Sequence, residues 1–421
     1  MMKEKSDKTN RRAFIKNMAS AAVGAAFITG QSKAEPNKPT TTAKTQDPVY
    51  PQVPKRLLGK TGIEIPCLAL GTIFDVLENQ IVLQKAFAIG VTCWDTAPDY
   101  AGPNSELGIG KFITDNPKAR KQLFLVTKAS DTITVADVED SLQASLKRMN
   151  TKYIDLYHIM DHIKAPSFGG HGLSDPSVLS DELKQWVQSA KKRRLIRFFG
   201  FSTHKNMPAC LNAAAKLGWI DAAMLVYNFR QIENAELQAA IDACNKAGVG
   251  LIAMKTQAHW PKGESETPLT RHFIERGFTA GQAKLKAVLQ DKRFSCACAG
   301  MPNVALLETN AAAVLDKTEL SQHDLDIFTQ YAQQSCSGYC LGCSDICNGV
   351  LPDTPCISEV IRYLTYYNSY GQTARARRLF AKIPAGIRSR LLSTDYTIAQ
   401  ARCPHHLPIK ELVAEAVGKL A

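Results

Sequence analysis

Eight short apolar runs alternate with amphipathic stretches from Leu58 to Leu315, a rhythm that restricts the chain to a few α/β architectures. The runs are Glu64 to Ala69, Val91 to Trp94, Leu123 to Thr127, Tyr153 to Met160, Arg197 to Phe201, Ala222 to Val226, Gly250 to Met254 and Phe294 to Ala299. Between them, Val135 to Lys147, Asp181 to Lys192, Pro208 to Leu217 and Ala235 to Lys246 carry apolar residues at helical spacing. Eight strand-and-helix units predict a closed (β/α)8 TIM barrel. An open doubly wound sheet would alternate in the same way, but no Gly-x-Gly-x-x-Gly follows the first run. With 421 residues, 45% of them hydrophobic, the chain can bury one large domain and an appendage. We expect the barrel over 55–318 and a helical tail over 319–421.

The N-terminus reads as an export segment. Asn10-Arg11-Arg12-Ala13-Phe14-Ile15-Lys16 precedes a small-residue apolar run from Met18 to Gly30 and then Ser32-Lys33-Ala34. This resembles a twin-arginine signal over residues 1–34, cleaved after Ala34, and implies a periplasmic protein exported already folded. A basic amphipathic helix is the alternative. The apolar run is too short to span a bilayer, so no stable membrane anchor is expected. Residues 35–54 are rich in Pro and Thr and read as a tether. The formal charge of +12 falls to about +7 once the signal is removed. That residue of charge has no interleaved aromatics, and Lys191-Lys192-Arg193-Arg194 reads as a solvated helix end, so nucleic acid is not an expected partner.

Short motifs follow the runs in order: Leu58-Gly59-Lys60-Thr61-Gly62, Leu70-Gly71-Thr72, Trp94-Asp95-Thr96-Ala97-Pro98-Asp99-Tyr100, Ser105-Glu106-Leu107-Gly108, Val126-Thr127-Lys128, Tyr153-Ile154-Asp155-Leu156-Tyr157 and Gly200-Phe201-Ser202. Together they resemble the aldo-keto reductases over Leu57 to Leu315. The Met254-Lys255 pair and the cysteine-rich tail resemble the branch of that family that carries iron–sulfur clusters. The resemblance implies an oxidoreductase acting on a small carbonyl or alcohol, with a sugar among the candidates.

Hydride delivery to a carbonyl needs a proton donor beside the developing alkoxide, and a tyrosine next to a cation suits that task. Tyr100, Lys128 and Asp95 match the family's positions for proton donor, cation and the carboxylate that holds it. The alternative is structural, with Asp95 capping a turn and Lys128 a buried ion-pair partner. The family's fourth catalytic position, a histidine, falls on Met160 here. Methionine has no N–H to orient a carbonyl. His158 and His162 share its strand face, and His162 is the candidate replacement.

Gly71, Thr72, Ser202, Gly300 and Asn310 match cofactor-contact positions, while Thr203 and Met224 replace the usual asparagine and glutamine. The basic residues that hold an adenosine 2′-phosphate in the family are missing around Gly300. The resemblance therefore implies NAD(P)H, with NADH favoured over NADPH.

Cys336, Cys340, Cys343 and Cys347 crowd the run CSGYCLGCSDIC. Such spacing aims several thiolates at one point and predicts a 4Fe-4S cluster, with disulfides or a zinc knot as alternatives. Ala401-Arg402-Cys403-Pro404 resembles the end of a second ferredoxin motif whose earlier cysteines are absent. Either three of the four local cysteines join Cys403, or all four serve and Cys403 is structural. Cys356 and the six barrel cysteines read as core thiols. One cluster moves one electron and a nicotinamide moves a hydride, so the cluster either relays electrons to a redox partner protein or staples the tail. A non-catalytic electron-transfer or binding protein that keeps the barrel is the second reading.

Overall fold

The computed structural model describes residues 50–129, 132, 134–160, 173–257, 268–335, 340, 342, 344–369 and 371–421. The expected signal, His162, Cys336 and Cys343 lie outside these residues. Among the described residues no helix is long and apolar enough to cross a membrane.

Eight parallel strands close into a barrel: β3 (Leu68–Gly71), β4 (Cys93–Asp95), β5 (Phe124–Ala129), β6 (Ile154–Ile159), β7 (Ile196–Thr203), β8 (Ala222–Val226), β9 (Gly250–Met254) and β10 (Phe294–Gly300). They lie in sequence order, with β10 returning to pair Gly300 with Gly71 of β3. β5 and β8 are buried along their whole length because side chains on one face fill the barrel and those on the other meet helices. Helices Val135–Arg148, Asp181–Lys192 and Ala235–Lys246 begin at Thr134, Ser180 and Asn234, whose side chains accept backbone N–H groups of the first turn. Their apolar faces and the outer faces of the strands form the main core.

The first expected strand divides in two. β1 (Lys55–Leu57) and β2 (Glu64–Pro66) form an antiparallel hairpin, and the barrel begins only at Leu68. Pro66 has no N–H with which to extend a ladder, and the Cys67 N–H turns aside to the Pro54 carbonyl at 2.9 Å. The hairpin plugs the barrel floor: Leu58 and Ile65 pack with Cys93, Phe124, Leu156 and Met224. The expected tether also ends early. Val53 is buried and its N–H donates to the Ile89 carbonyl at 3.0 Å.

The tail has its own core. Helices Ile357–Asn368, Thr373–Ala381 and Ile409–Leu420 pack through Val360, Leu364, Phe380 and Val413. Among the described residues, its polar ties to the barrel include three at strand ends. Arg230, after β8, donates to the Ala332 and Ser335 carbonyls at 2.8 and 3.0 Å. Lys205, after β7, pairs with Glu359, and Asp99, after β4, pairs with Arg375. All three barrel partners sit in loops at the C-terminal ends of strands, so the tail lies on the face where barrel active sites are built.

Candidate active site

β4 ends on Asp95, and Lys128 lies one residue before the end of β5, so both reach the same mouth of the barrel. Lys128 Nζ donates to Asp95 Oδ1 and Oδ2 at 2.8 and 2.9 Å and to the Thr96 carbonyl at 2.7 Å. The two side chains are 2% and 4% exposed, and three acceptors match the ammonium's three donors. Burial pushes the Asp95 carboxyl up, while Lys128 pulls it back toward ionisation. The half-buried Tyr100 ring stands 4.8 Å from Lys128 Nζ. A cation there stabilises negative charge on the phenol as its proton leaves.

His158 is the histidine that the described residues place beside this pair. It lies in direct register with Lys128, fully buried, and neither ring nitrogen has a hydrogen-bond partner among the described residues. Met160 is buried just beyond it. The family pattern points to position 160 and so draws attention from a histidine one layer deeper.

Two motif carboxylates prove to be braces. Glu106 accepts Thr127 Oγ1 and Arg148 Nε, both at 2.6 Å, and Asp155 is held by Arg120 at 2.9 Å and Arg197 at 2.7 Å. Thr72 is committed as well, since its hydroxyl donates to the Asp95 carbonyl at 2.8 Å. By contrast, Ser202 Oγ, Thr256 Oγ1 and Asn310 Nδ2 are buried without partners among the described residues. Ser202 is the penultimate residue of β7, Thr256 follows β9, and Asn310 lies in the helix after β10, where its Oδ1 accepts Gln257 Nε2 at 2.9 Å. Gly300, at the end of β10, is exposed and could admit a close ligand backbone. Unpaired polar groups strung along this arc fit an elongated polar ligand such as a dinucleotide.

Residues 73–262, which contain the Asp95, Tyr100 and Lys128 constellation, match the model of the aldo/keto reductase family. That stretch is similar to the family.

Named proteins match the same part of the chain to different extents. The chain is 25% identical to an L-galactose dehydrogenase of Arabidopsis thaliana over 303 residues, 64% of this chain and 90% of that protein. A 32% identical stretch of 127 residues matches an L-glyceraldehyde 3-phosphate reductase of Escherichia coli, covering 26% of this chain and 37% of that one. Its fold is similar to that of an aldo-keto reductase from Klebsiella pneumoniae in complex with NADPH, at a TM-score of 0.54 and 21% identity over 66% of this chain and 95% of that one. About a third of this chain therefore has no counterpart in that structure.

The tail brings three expected ligands together. Cys340, Cys347 and Cys403 are buried and line one pocket with Ile346, Ile361, His405 and Leu407. Burial pushes the Cys340 thiol up, against the pull of the Arg362 guanidinium, and the Cys347 thiol up to about 12. Among the described residues no three His, Cys, Asp or Glu side chains are placed to hold a single metal ion. Cys356 is a buried core thiol at the N-cap of helix Ile357–Asn368.

Proposed function

We propose that this chain reduces a small carbonyl compound, or oxidises the matching alcohol, with a nicotinamide dinucleotide. The observation that carries this reading is the buried Lys128–Asp95 pair facing the Tyr100 ring. A bound reduced nicotinamide would supply the hydride. Tyr100 would hold the proton destined for the carbonyl oxygen, and Lys128 would stabilise the phenolate left behind. Asp95 fixes the ammonium in place. Ser202, Thr256 and Asn310 would hold the dinucleotide across the strand ends. NADH is favoured over NADPH because no basic residues flank Gly300 in the sequence. The test is dinucleotide oxidation by purified protein over a panel of small aldehydes, ketones and sugars. Tyr100→Phe should lower kcat by about 10²–10⁴-fold, the usual worth of a general acid; unchanged turnover would remove Tyr100 from the mechanism.

The tail thiols support a second part of the proposal, that Cys340, Cys347 and Cys403 contribute to one 4Fe-4S cluster. Such a cluster would supply one-electron redox capacity or a covalent staple, and its three cysteines already share a sheltered pocket. The N-terminal sequence supports export by the twin-arginine route to the periplasm. Cell fractionation of the intact protein and of an Arg11→Lys, Arg12→Lys variant tests that localisation.

One observation favours a second reading. Met160 places a buried thioether where the family uses a histidine. A purified sample that neither binds dinucleotide nor turns over any carbonyl, yet holds a redox-active cluster, would identify a non-catalytic electron-transfer or binding protein.

A further inference from the structure

We propose that Arg375, in the C-terminal tail, is a positioning residue for Tyr100, a proposal that rests on the catalytic reading of Tyr100 above. Tyr100 sits in the connection between β4 and helix Asn104–Asp115. That connection is braced at its helix end, where the Ser105 N–H donates to the Tyr100 carbonyl at 3.2 Å and Asn104 Nδ2 donates to Asp75 Oδ2 at 2.6 Å. The Tyr100 N–H reaches the Ala97 carbonyl at 3.2 Å, and the chain then enters the left-handed region at Ala101 (φ 52°) and Gly102 (φ 67°). Ala101, which carries a Cβ, disfavours that conformation, so a restraint on the residues just before it helps to hold the loop.

The tail supplies one at the adjacent residue. Arg375 Nη2 pairs with Asp99 Oδ2, and Nη1 lies 3.5 Å from the Asp99 carbonyl oxygen. One guanidinium thus grips both the side chain and the backbone immediately before Tyr100. Arg375 is itself held: Nη1 donates to Gln372 Oε1 at 2.9 Å, and its Cζ stands 4.7 Å from the Tyr366 ring centroid. The paired side chains are only 12% and 23% exposed, which shelters them from screening by salt. Burial, with Arg378 nearby, pulls Arg375 down to about 10, so it is cationic at neutral pH. Fixing the Asp99 peptide fixes where the Tyr100 side chain leaves the backbone, and a displacement of about 1 Å at a reacting group can cost about 10²-fold in rate.

The experiment compares wild type, Arg375→Ala, Asp99→Asn and the exchanged pair Asp99→Arg with Arg375→Asp, each confirmed folded by thermal melting. Amide hydrogen exchange of the segment 96–107 is read alongside kcat and the KM for dinucleotide. We expect exchange in that segment to rise in both single variants. In them kcat should fall by about tenfold or more with the dinucleotide KM little changed, and the exchanged pair should recover part of both losses. Wild-type exchange and kcat in Asp99→Asn, which leaves the tail untouched, would overturn the proposal. If wild type itself shows no turnover, the catalytic reading fails on its own account. Hydrogen exchange then decides alone: faster exchange upholds Arg375 as the restraint on this loop, and unchanged exchange removes it.

Discussion

His158 and Lys128 stand side by side on adjacent strands, in direct register, deep in the barrel mouth. Burial, and then the Lys128 ammonium, hold the His158 imidazole well below its usual value of 6.5. The folded protein therefore keeps it neutral at pH values where the unfolded chain would protonate it. Below pH 6.5 the unfolded state takes up the extra proton, so this group's contribution is fully present above that value and is lost as pH falls. We expect wild-type stability to drop relative to His158→Gln by up to about 1.4 kcal/mol per pH unit on descending from 6.5. Urea midpoints of the two proteins at several pH values measure this, and parallel profiles would show that His158 titrates normally.

Lys128 and Asp95 should be coupled energetically. Lys128→Met leaves a buried carboxylate without its cation, and breaking a buried pair from one side costs about 3–5 kcal/mol. Adding Asp95→Asn should return much of that stability, because the stranded charge is gone, while leaving turnover abolished. A double-mutant cycle by chemical denaturation checks the coupling; additive losses would mean that the pair is solvated.

Gly200 marks a place where the barrel has no room. A Cβ there would lie 2.0 Å from the Ala222 carbonyl oxygen on β8 and 3.2 Å from His158 Cδ2. Gly200→Ala must push two strands apart, and overpacking of this kind costs about 1–3 kcal/mol or more. A wild-type thermal midpoint in that variant would contradict the geometry.

The thiol pocket makes a separate prediction. Iron and sulfide content measured after anaerobic purification should fall in Cys347→Ala and in Cys403→Ala, and should persist in Cys356→Ala, whose thiol lies in the tail core. Full occupancy in Cys403→Ala would leave the ligand set to the local run. Absence of iron from wild type would reject the cluster itself.

The barrel was legible because parallel strands covered on both sides are apolar throughout, and the helices between them carry polar outer faces. The hairpin is hidden in the sequence for the same reason. Ile65 is as apolar as a barrel residue, and only the missing N–H of Pro66 separates plug from strand. Asp95, Tyr100 and Lys128 could be found because each sits at a strand end within a recognisable motif. Arg375 could not, since it meets Asp99 from 276 residues away and a single long-range ion pair imposes no local period. Cys403 lay between these cases, betrayed by its Cys-Pro context rather than by its distance from Cys347.

The three ties between tail and barrel also set an order of assembly. Asp99, Lys205 and Arg230 are synthesised before any tail helix, and each takes its final place only when its strand joins the barrel. Because β10 must return to β3 to complete the ring, the last quarter of the chain meets a finished platform or none. Docking of the tail thus acts as a checkpoint that only a correctly closed barrel passes, and a chain with a misplaced strand would be left with its terminal helices loose and open to proteolysis.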